Sequence, residues 1–202
     1  MTAITVQPHG RVLADLLPRS AATNAALVVG GTALVGVLAQ VSVPLWPVPI
    51  TGQTLGVILV GASLGARRGA ASLALYLVGG LAGLPIFANF TGGPLSVMKP
   101  SFGFVIGFVI AAYAIGWFAE HNWGATFWKS LAAFSIGSVI PFLVGVPYLG
   151  LMLGHLGQPN DLGTLMALGV TPFLLGGAIK ALLAAGLLPL CWKAVRRIDR
   201  AR

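Results

Sequence analysis

Six long apolar segments account for most of this 202-residue chain, and only short connections separate them. A helix needs about 20 apolar residues to cross a hydrocarbon core about 30 Å thick. Runs near that length occur at about 22–43, 52–66, 69–88, 102–120, 127–150 and 171–192, of which the second is short. Only 8% of the residues are charged, against roughly 25% in a soluble domain. The sequence therefore predicts an all-α integral membrane protein, with six transmembrane helices in one membrane domain over 21–192.

The basic residues give these segments an orientation. If the chain crosses the membrane six times, ten of its twelve Lys and Arg fall on one side: Arg11, Arg19, Arg67, Arg68, Lys129, Lys193, Arg196, Arg197, Arg200 and Arg202. Positively charged connections stay in the cytoplasm. An N-terminal tail at 1–20 and a basic tail at 193–202 are therefore both predicted to be cytoplasmic, in a multi-pass protein of the inner (plasma) membrane. The net charge of +8 then reflects topology and contact with anionic membrane lipid, and no nucleic acid is expected as a partner.

The tail at 1–20 lacks a continuous apolar run, so it does not resemble a cleaved signal peptide.

The connection after the first segment, "PLWPVPITGQT", contains three prolines and no charge. Each proline fixes φ at about −65° and favours an extended residue before it, so the loop should be stiff. The predicted orientation puts it at the outer face, where it would act as a gating lid or rim over an outward-facing pocket through Pro44, Trp46, Pro47 and Pro49. The alternative for Trp46 is an anchor at the membrane interface.

Lys180 is the most informative polar residue, because it lies about nine residues into the last apolar segment. An ammonium group at membrane depth is costly unless it faces a wet cavity or a partner, which makes it a candidate binding residue. The alternative is a lysine that extends to the lipid headgroups. Gly177, nearby, leaves space for a ligand beside it.

Further polar residues fall toward the predicted outer half of the bundle. They are amides, hydroxyls and polar-tipped aromatics: Thr51, Gln53, Asn89, Tyr113 and Tyr148. Together with Lys180 they predict an apolar-walled pocket for a small neutral or anionic molecule.

The first segment carries small residues at helical spacing. Ala22, Ala26 and Gly30 follow at i, i+4 and i+8, with Ala21 and Ala25 beside them. Such a stripe lets another helix approach closely, either a partner protein's helix or one of the chain's own.

Several function classes are excluded by what the sequence lacks. It contains no catalytic triad pattern, no HExxH and no Walker A motif, and its single cysteine, Cys191, cannot form an internal disulfide. No acidic residue lies in the middle of an apolar segment, as an ion-coupled carrier usually requires. We therefore expect neither an enzyme nor a cofactor or metal site, and if the protein transports, a partner should supply the energy.

Three blocks closely resemble the BioY family in order and spacing: "VPITGQTLGVILVGASLGARRGAASLALYLVGGLAGLPIFANFTGG", "FGFVIGF" and "TPFLLGGAIKALLA". BioY proteins are the biotin-specific S components of energy-coupling-factor (ECF) transporters, and the resemblance covers roughly 20–192. It implies the S-component fold, a biotin pocket near the outer face, and an ECF partner made of a transmembrane coupling protein and two ATPase subunits. Biotin would then be the transported substrate, not a cofactor. Asn89 matches an asparagine of the family's third-helix block and Lys180 the lysine of its last-helix block, so both are expected to contact the ligand, with Gln53 a weaker candidate. The alanine stripe matches the docking surface of related S components.

The chain departs from the family at two places. Gly177 stands where the family usually has an aspartate, three residues before the lysine, so Lys180 must find another partner. "KPSFGF" stands where the family tends to "GPTGGY", and Phe102 should shrink the space there.

Alternatives remain in two classes. One is a solitary homo-oligomeric facilitator of biotin, or of a biotin precursor, that works without ATPases. The other is a structural or lipid-binding membrane protein, which would leave Lys180 without a purpose.

Overall fold

The computed structural model of the protein describes residues 12–200, without the side chains of residues 125 and 194–200. The elements of this part of the chain are α1 (Ala21–Gln40), β1 (Ser42–Val43), β2 (Ile50–Thr51), α2 (Gln53–Leu64), α3 (Ala66–Leu81), α4 (Phe102–Glu120), α5 (Phe127–His155), α6 (Leu162–Gly169) and α7 (Thr171–Arg200). Short 3-10 helices occur at Leu13–Leu16, Ala88–Phe90, Pro94–Met98 and Trp123–Ala125. Arg11 and Arg202, which the predicted orientation uses, lie outside the described residues, as do the side chains of Arg196, Arg197 and Arg200.

Four stretches of the described chain are long and apolar enough to cross a membrane. They are α1, α4, α5 and the stretch Leu162–Lys193, which comprises α6 and most of α7. The second predicted segment forms an apolar helix of only 12 residues, α2, as its short length in the sequence indicated. These helices agree with the predicted integral membrane protein.

The all-helical prediction is wrong in one local detail. Ser42 and Val43 pair with Thr51 and Ile50 in an antiparallel ladder, so a two-stranded hairpin encloses the proline loop. Helix α1 therefore ends at Gln40, earlier than the predicted 43. A ladder of two residues per strand carries too little alternation to be visible in a sequence.

Other segment boundaries also moved. Helix α3 ends at Leu81, not near 88, because Gly83 adopts a φ of 108° and Pro85 has no N–H to continue the helix. Helix α5 runs on to His155 past two internal prolines, and α7 runs on to Arg200. The sequence did not predict the separate short helix α6.

Helix ends are fixed by specific polar contacts. The Ser20 hydroxyl accepts a hydrogen bond from the Thr23 N–H at 3.0 Å and caps α1. Glu120 of α4 accepts the Ala66 N–H at 2.8 Å, so the end of one helix caps the start of α3. Asp161 caps α6 through Thr164, and these hydrogen bonds lower the pKa of the exposed Asp161 carboxyl below its ordinary value.

Helix α4 lies at the centre of the bundle, where it packs against α2, α3 and α5. Its Ile115 is fully buried, together with Tyr76 of α3 and Phe134 of α5. A Cβ added to Gly61 of α2 would come within 2.8 Å of the Ala112 carbonyl oxygen of α4, so glycine permits the close approach of these two helices. This packing holds the N-terminal parts of α2, α4 and α7 and the middle of α5 around one cavity.

The small-residue stripe of α1 faces away from the bundle. Ala21, Ala22, Ala25, Ala26 and Gly30 are all exposed, whereas the inward face of α1 is formed by residues such as Gly31, Val35 and Ala39. No side chain lies within 4 Å of a Cβ placed on Gly30. Of the two predicted uses of the stripe, packing against the chain's own helices is therefore wrong in this structure.

Candidate functional site

A cavity of about 400 Å³ lies where the proline loop and the 87–101 connection meet the N-terminal parts of α2, α4 and α7 and the middle of α5. Most of its wall is aromatic or aliphatic, and the phenylalanines that line it are Phe87, Phe102, Phe104, Phe108, Phe142 and Phe173. Its volume and apolar lining are typical of a site for one small organic molecule.

The hairpin loop forms one wall of this cavity. Pro44, Trp46, Pro47 and Pro49 all line it, and the loop carries one cis peptide bond, at Trp46–Pro47. Trp46 itself is 63% exposed, whereas the neighbouring Val48 is buried and anchors the loop to the core. The predicted rim residues therefore lie beside the cavity, and the Trp46 side chain also stays open to the surroundings.

Lys180 also lines the cavity, and its ammonium group is already engaged. Its Nζ donates to the Thr51 carbonyl oxygen at 2.5 Å and to the Thr54 hydroxyl at 2.9 Å. The Thr51 carbonyl oxygen and the Thr54 hydroxyl are therefore the protein partners of this ammonium group. An ammonium group has three N–H donors, so one remains available to a ligand.

The two glycines before Lys180 leave space beside it. Gly176 and Gly177 both line the cavity, and no atom lies within 4 Å of a Cβ built on either of them. The two glycines therefore leave an opening beside Lys180 that no other side chain fills.

Gln53 is buried and its amide is held by protein groups. Its Oε1 accepts from the Thr51 hydroxyl at 2.7 Å, and its Nε2 donates to the Tyr76 hydroxyl at 2.7 Å. Gln53 and Thr51 both line the cavity. Because the Gln53 amide is bonded to protein groups, its main role is to fix the start of α2. Tyr76, which sequence reasoning did not single out, completes this buried chain of hydrogen bonds.

Asn89 lies in the turn at Ala88–Phe90, with a φ of 59°. Its side-chain oxygen accepts a 2.7 Å hydrogen bond from Ser42, which ties this turn to β1. Gln40 holds the same turn from α1 by accepting the Phe90 N–H at 2.8 Å. The Asn89 amide NH₂ makes no hydrogen bond within residues 12–200 and lies at the cavity, where it is free to donate to a ligand.

The two predicted tyrosines do not line the cavity. Tyr113 points away from the bundle on α4 and is 49% exposed. Tyr148 donates its hydroxyl hydrogen to the Val97 carbonyl oxygen and packs against the ring of Phe102, with the ring centres 6.1 Å apart. Tyr148 therefore supports the wall from behind, and Phe102 supplies the wall itself.

Several lining residues were missed by sequence reasoning. Thr54 is the last residue of the "TGQT" motif, and Phe173 follows the proline of "TPFLL". Ser96 and Lys99 belong to the irregular connection before α4, whose sequence has no helical or strand periodicity. Lys99 is not among the ten basic residues that set the predicted orientation.

The charge of the lining is one-sided. Among the cavity residues of the described chain, the charged ones are Lys99 and Lys180, and none is acidic. No group of three or more His, Cys, Asp or Glu able to hold a metal ion occurs in the described range. The arrangement suits an organic molecule with an anionic group.

Comparisons with known proteins agree with this picture. A crystal structure of the S component for biotin from an ECF-type ABC transporter superposes with a TM-score of 0.70 at 25% sequence identity, over 85% of this chain and 92% of that chain. A protein of Thermotoga maritima named biotin transporter BioY is 36% identical over 154 residues, covering 76% of this chain and 86% of its own length.

A protein of the same name from Rhizobium etli is 35% identical over 158 residues, covering 74% of this chain and 81% of its own length. These relatives are transporters and not enzymes. The family model described as the BioY family matches residues 10–197. On these grounds, this chain belongs to the BioY family.

Proposed function

We propose that this protein captures biotin in the cavity beside Lys180 and delivers it to the cytoplasm. The observation that carries the proposal is the one-sided lining: an apolar cavity of about 400 Å³ whose charged residues are lysines. The relatives named biotin transporter make biotin the first ligand to test.

The chemistry of biotin fits this lining group by group. Its ureido ring carries a carbonyl acceptor and two N–H donors, its fused rings and valeryl chain are apolar, and its carboxylate is anionic. The free Lys180 N–H and the Asn89 amide NH₂ are donors for the ligand. The phenylalanine walls receive the rings and the chain, and Gln53 holds Thr51, one of the two Lys180 acceptors, through the Thr51 hydroxyl.

The orientation we propose has six membrane crossings, with both termini in the cytoplasm of the inner (plasma) membrane. The short helices α2 and α3 then cross the bilayer within the bundle, where neighbouring helices cover their ends. The proline loop and the 87–101 connection lie at the outer face, so the cavity receives biotin from outside.

An ATP-driven ECF module, with a transmembrane coupling protein and two ATPase subunits, is the partner that we propose. The exposed stripe of Ala22, Ala26 and Gly30 on α1 supports it, because a flat small-residue surface suits close packing with another helix. The same exposed stripe equally supports the second candidate, in which copies of this chain pack together as a solitary oligomeric facilitator.

Calorimetric titration of biotin into the purified, detergent-solubilised protein tests the capture step. We expect saturable binding of one biotin per chain. Folded protein that binds no biotin would refute the proposal, and titration of biotin precursors would then follow.

Uptake into proteoliposomes separates the two transport modes. Biotin accumulation that requires co-reconstituted ECF subunits and ATP supports the coupled mode, whereas equilibration without ATPases supports the solitary one. Ala26→Trp should abolish ECF-dependent uptake while leaving biotin binding unchanged, because it blocks only the helix surface. Leu143→Trp, at an exposed position on α5, is the matched control.

A further inference from the structure

The two lysines of the cavity are in different states. Lys180 already gives two of its three N–H donors to Thr51 and Thr54. Its remaining donor suits a single carbonyl acceptor better than a carboxylate, which is bound best by several donors. A ligand carboxylate therefore needs a second group of donors elsewhere in the cavity.

Lys99 has a fixed backbone and an uncommitted side chain. Its N–H donates to the Ser96 carbonyl oxygen at 3.1 Å, and its own carbonyl oxygen accepts from the Phe102 N–H at 3.0 Å. Its ammonium group has no ion pair and no hydrogen bond within the described chain. The residue lines the cavity and is exposed, so it presents three free donors where water can still reach.

Ser96 lies one 3-10 turn before Lys99 and also lines the cavity. It is only 2% exposed, and its Oγ is the one buried side-chain polar atom without a hydrogen-bond partner in the described part of the protein. Buried hydroxyl groups are almost always hydrogen-bonded in folded proteins. An unpartnered hydroxyl at a cavity wall is therefore a position for a ligand oxygen.

We propose that Lys99 and Ser96 form the carboxylate-binding end of this cavity. The valeryl carboxylate accepts hydrogen bonds from the Lys99 ammonium and the Ser96 hydroxyl, while the ureido carbonyl accepts the free N–H of Lys180. This assignment keeps the charged end of the ligand beside the exposed lysine, where less water is lost than deep in the cavity. It rests on the proposed function, and it assigns a specificity role to a lysine that stands where the family tends to glycine.

The test is a double-mutant type of binding cycle. It removes the charge of Lys99 from the protein and the charge of the carboxylate from the ligand, and it compares the effects on affinity. Biotin and its uncharged carboxamide are titrated into the wild type, Lys99→Gln, Lys99→Arg and Ser96→Ala. We expect Lys99→Gln to weaken biotin binding about tenfold, the scale of a charge-assisted hydrogen bond, and to leave carboxamide binding unchanged. Lys99→Arg keeps the charge and should retain most of the affinity for biotin.

Two controls isolate the site from general effects. Lys129→Gln removes the same charge from an exposed residue that does not line the cavity, and it should change neither affinity. Ser96→Ala should weaken biotin more than the carboxamide and leave the thermal midpoint unchanged, because its hydroxyl has no protein partner to lose.

The outcomes are distinguishable. If Lys99→Gln leaves biotin affinity unchanged, or weakens biotin and the carboxamide equally, the assignment of the carboxylate to Lys99 is overturned while biotin capture stands. If folded wild-type protein binds neither molecule, the proposed function fails and this inference fails with it.

Discussion

Lys180 and Thr51 lie 129 positions apart in the sequence, and the Lys180 Nζ donates a 2.5 Å hydrogen bond to the Thr51 carbonyl oxygen. This bond joins α7 to the strand that closes the proline loop. Together with the Thr54 hydroxyl, this carbonyl oxygen gives the ammonium group of an apolar helix two polar partners.

Removal of the Lys180 ammonium should impair ligand binding strongly. We expect Lys180→Met to weaken biotin binding about 10- to 100-fold, because it removes a charge-assisted donor and keeps an apolar side chain of similar length. Calorimetry measures the change, and Lys193→Met, at an exposed position of the same helix, is the control. Equal affinity in the wild type and Lys180→Met would remove Lys180 from the site.

An aspartate at position 177 should be structurally tolerated. No atom lies within 4 Å of a Cβ at Gly177, and a carboxylate there lies three residues before Lys180 on the same face of α7. We expect Gly177→Asp to fold and to bind biotin about tenfold more tightly, because the carboxylate would accept the ureido N–H groups.

The matched variant Gly177→Asn separates charge from size, and it should gain less affinity than Gly177→Asp. A lower affinity in Gly177→Asp would mean that the ureido N–H groups do not face α7.

The buried Gln53–Tyr76 pair predicts an effect on stability. Tyr76→Phe removes the acceptor of the Gln53 Nε2 donor and leaves a buried polar group unpaired, which should cost about 1–3 kcal/mol. We expect the thermal midpoint in detergent to fall by several degrees. Tyr113→Phe makes the same chemical change on the exposed side of α4 and should leave the midpoint in place; similar shifts in both variants would contradict the prediction.

The prolines of the loop should contribute to affinity through rigidity. Glycine at positions 44, 47 and 49 frees the backbone, and ordering it on binding should weaken biotin affinity about fivefold or more. Pro94→Ala, which changes a proline that does not line the cavity, is the control for calorimetry. A glycine variant with the same biotin affinity as the wild type would show that the rigidity of the loop does not contribute to binding.

The sequence predicted the structure best where a feature spans many residues or where burying it costs much free energy. The apolar segments reveal α1, α4 and α5 by length alone, and Lys180 stands out because a charge in such a segment demands an explanation. The exposed state of the α1 stripe needed the structure, because a small residue suits an internal contact as well as an external one.

The tyrosines show where that reasoning ends. Tyr113 lies in a helix that is apolar all around, so no hydrophobic face in the sequence indicates which way its side chain points. Ser96 and Lys99 were missed for the opposite reason, because an irregular connection has no period from which to infer direction. The Thr51 and Thr54 acceptors for Lys180 depend on a contact between distant helices, which spacing along the chain cannot supply.

Thr51 connects the hairpin to α7. Thr51 pairs with Ser42 in the ladder, and its carbonyl oxygen accepts the Lys180 hydrogen bond, while Ser42 also donates to Asn89. The loop cannot swing outward as a unit unless the Lys180 bond breaks or the two-residue ladder separates. An outward movement of the intact hairpin would therefore break the hydrogen bond between Lys180 and Thr51, so opening of the cavity by that route would free one N–H of the lysine for a ligand.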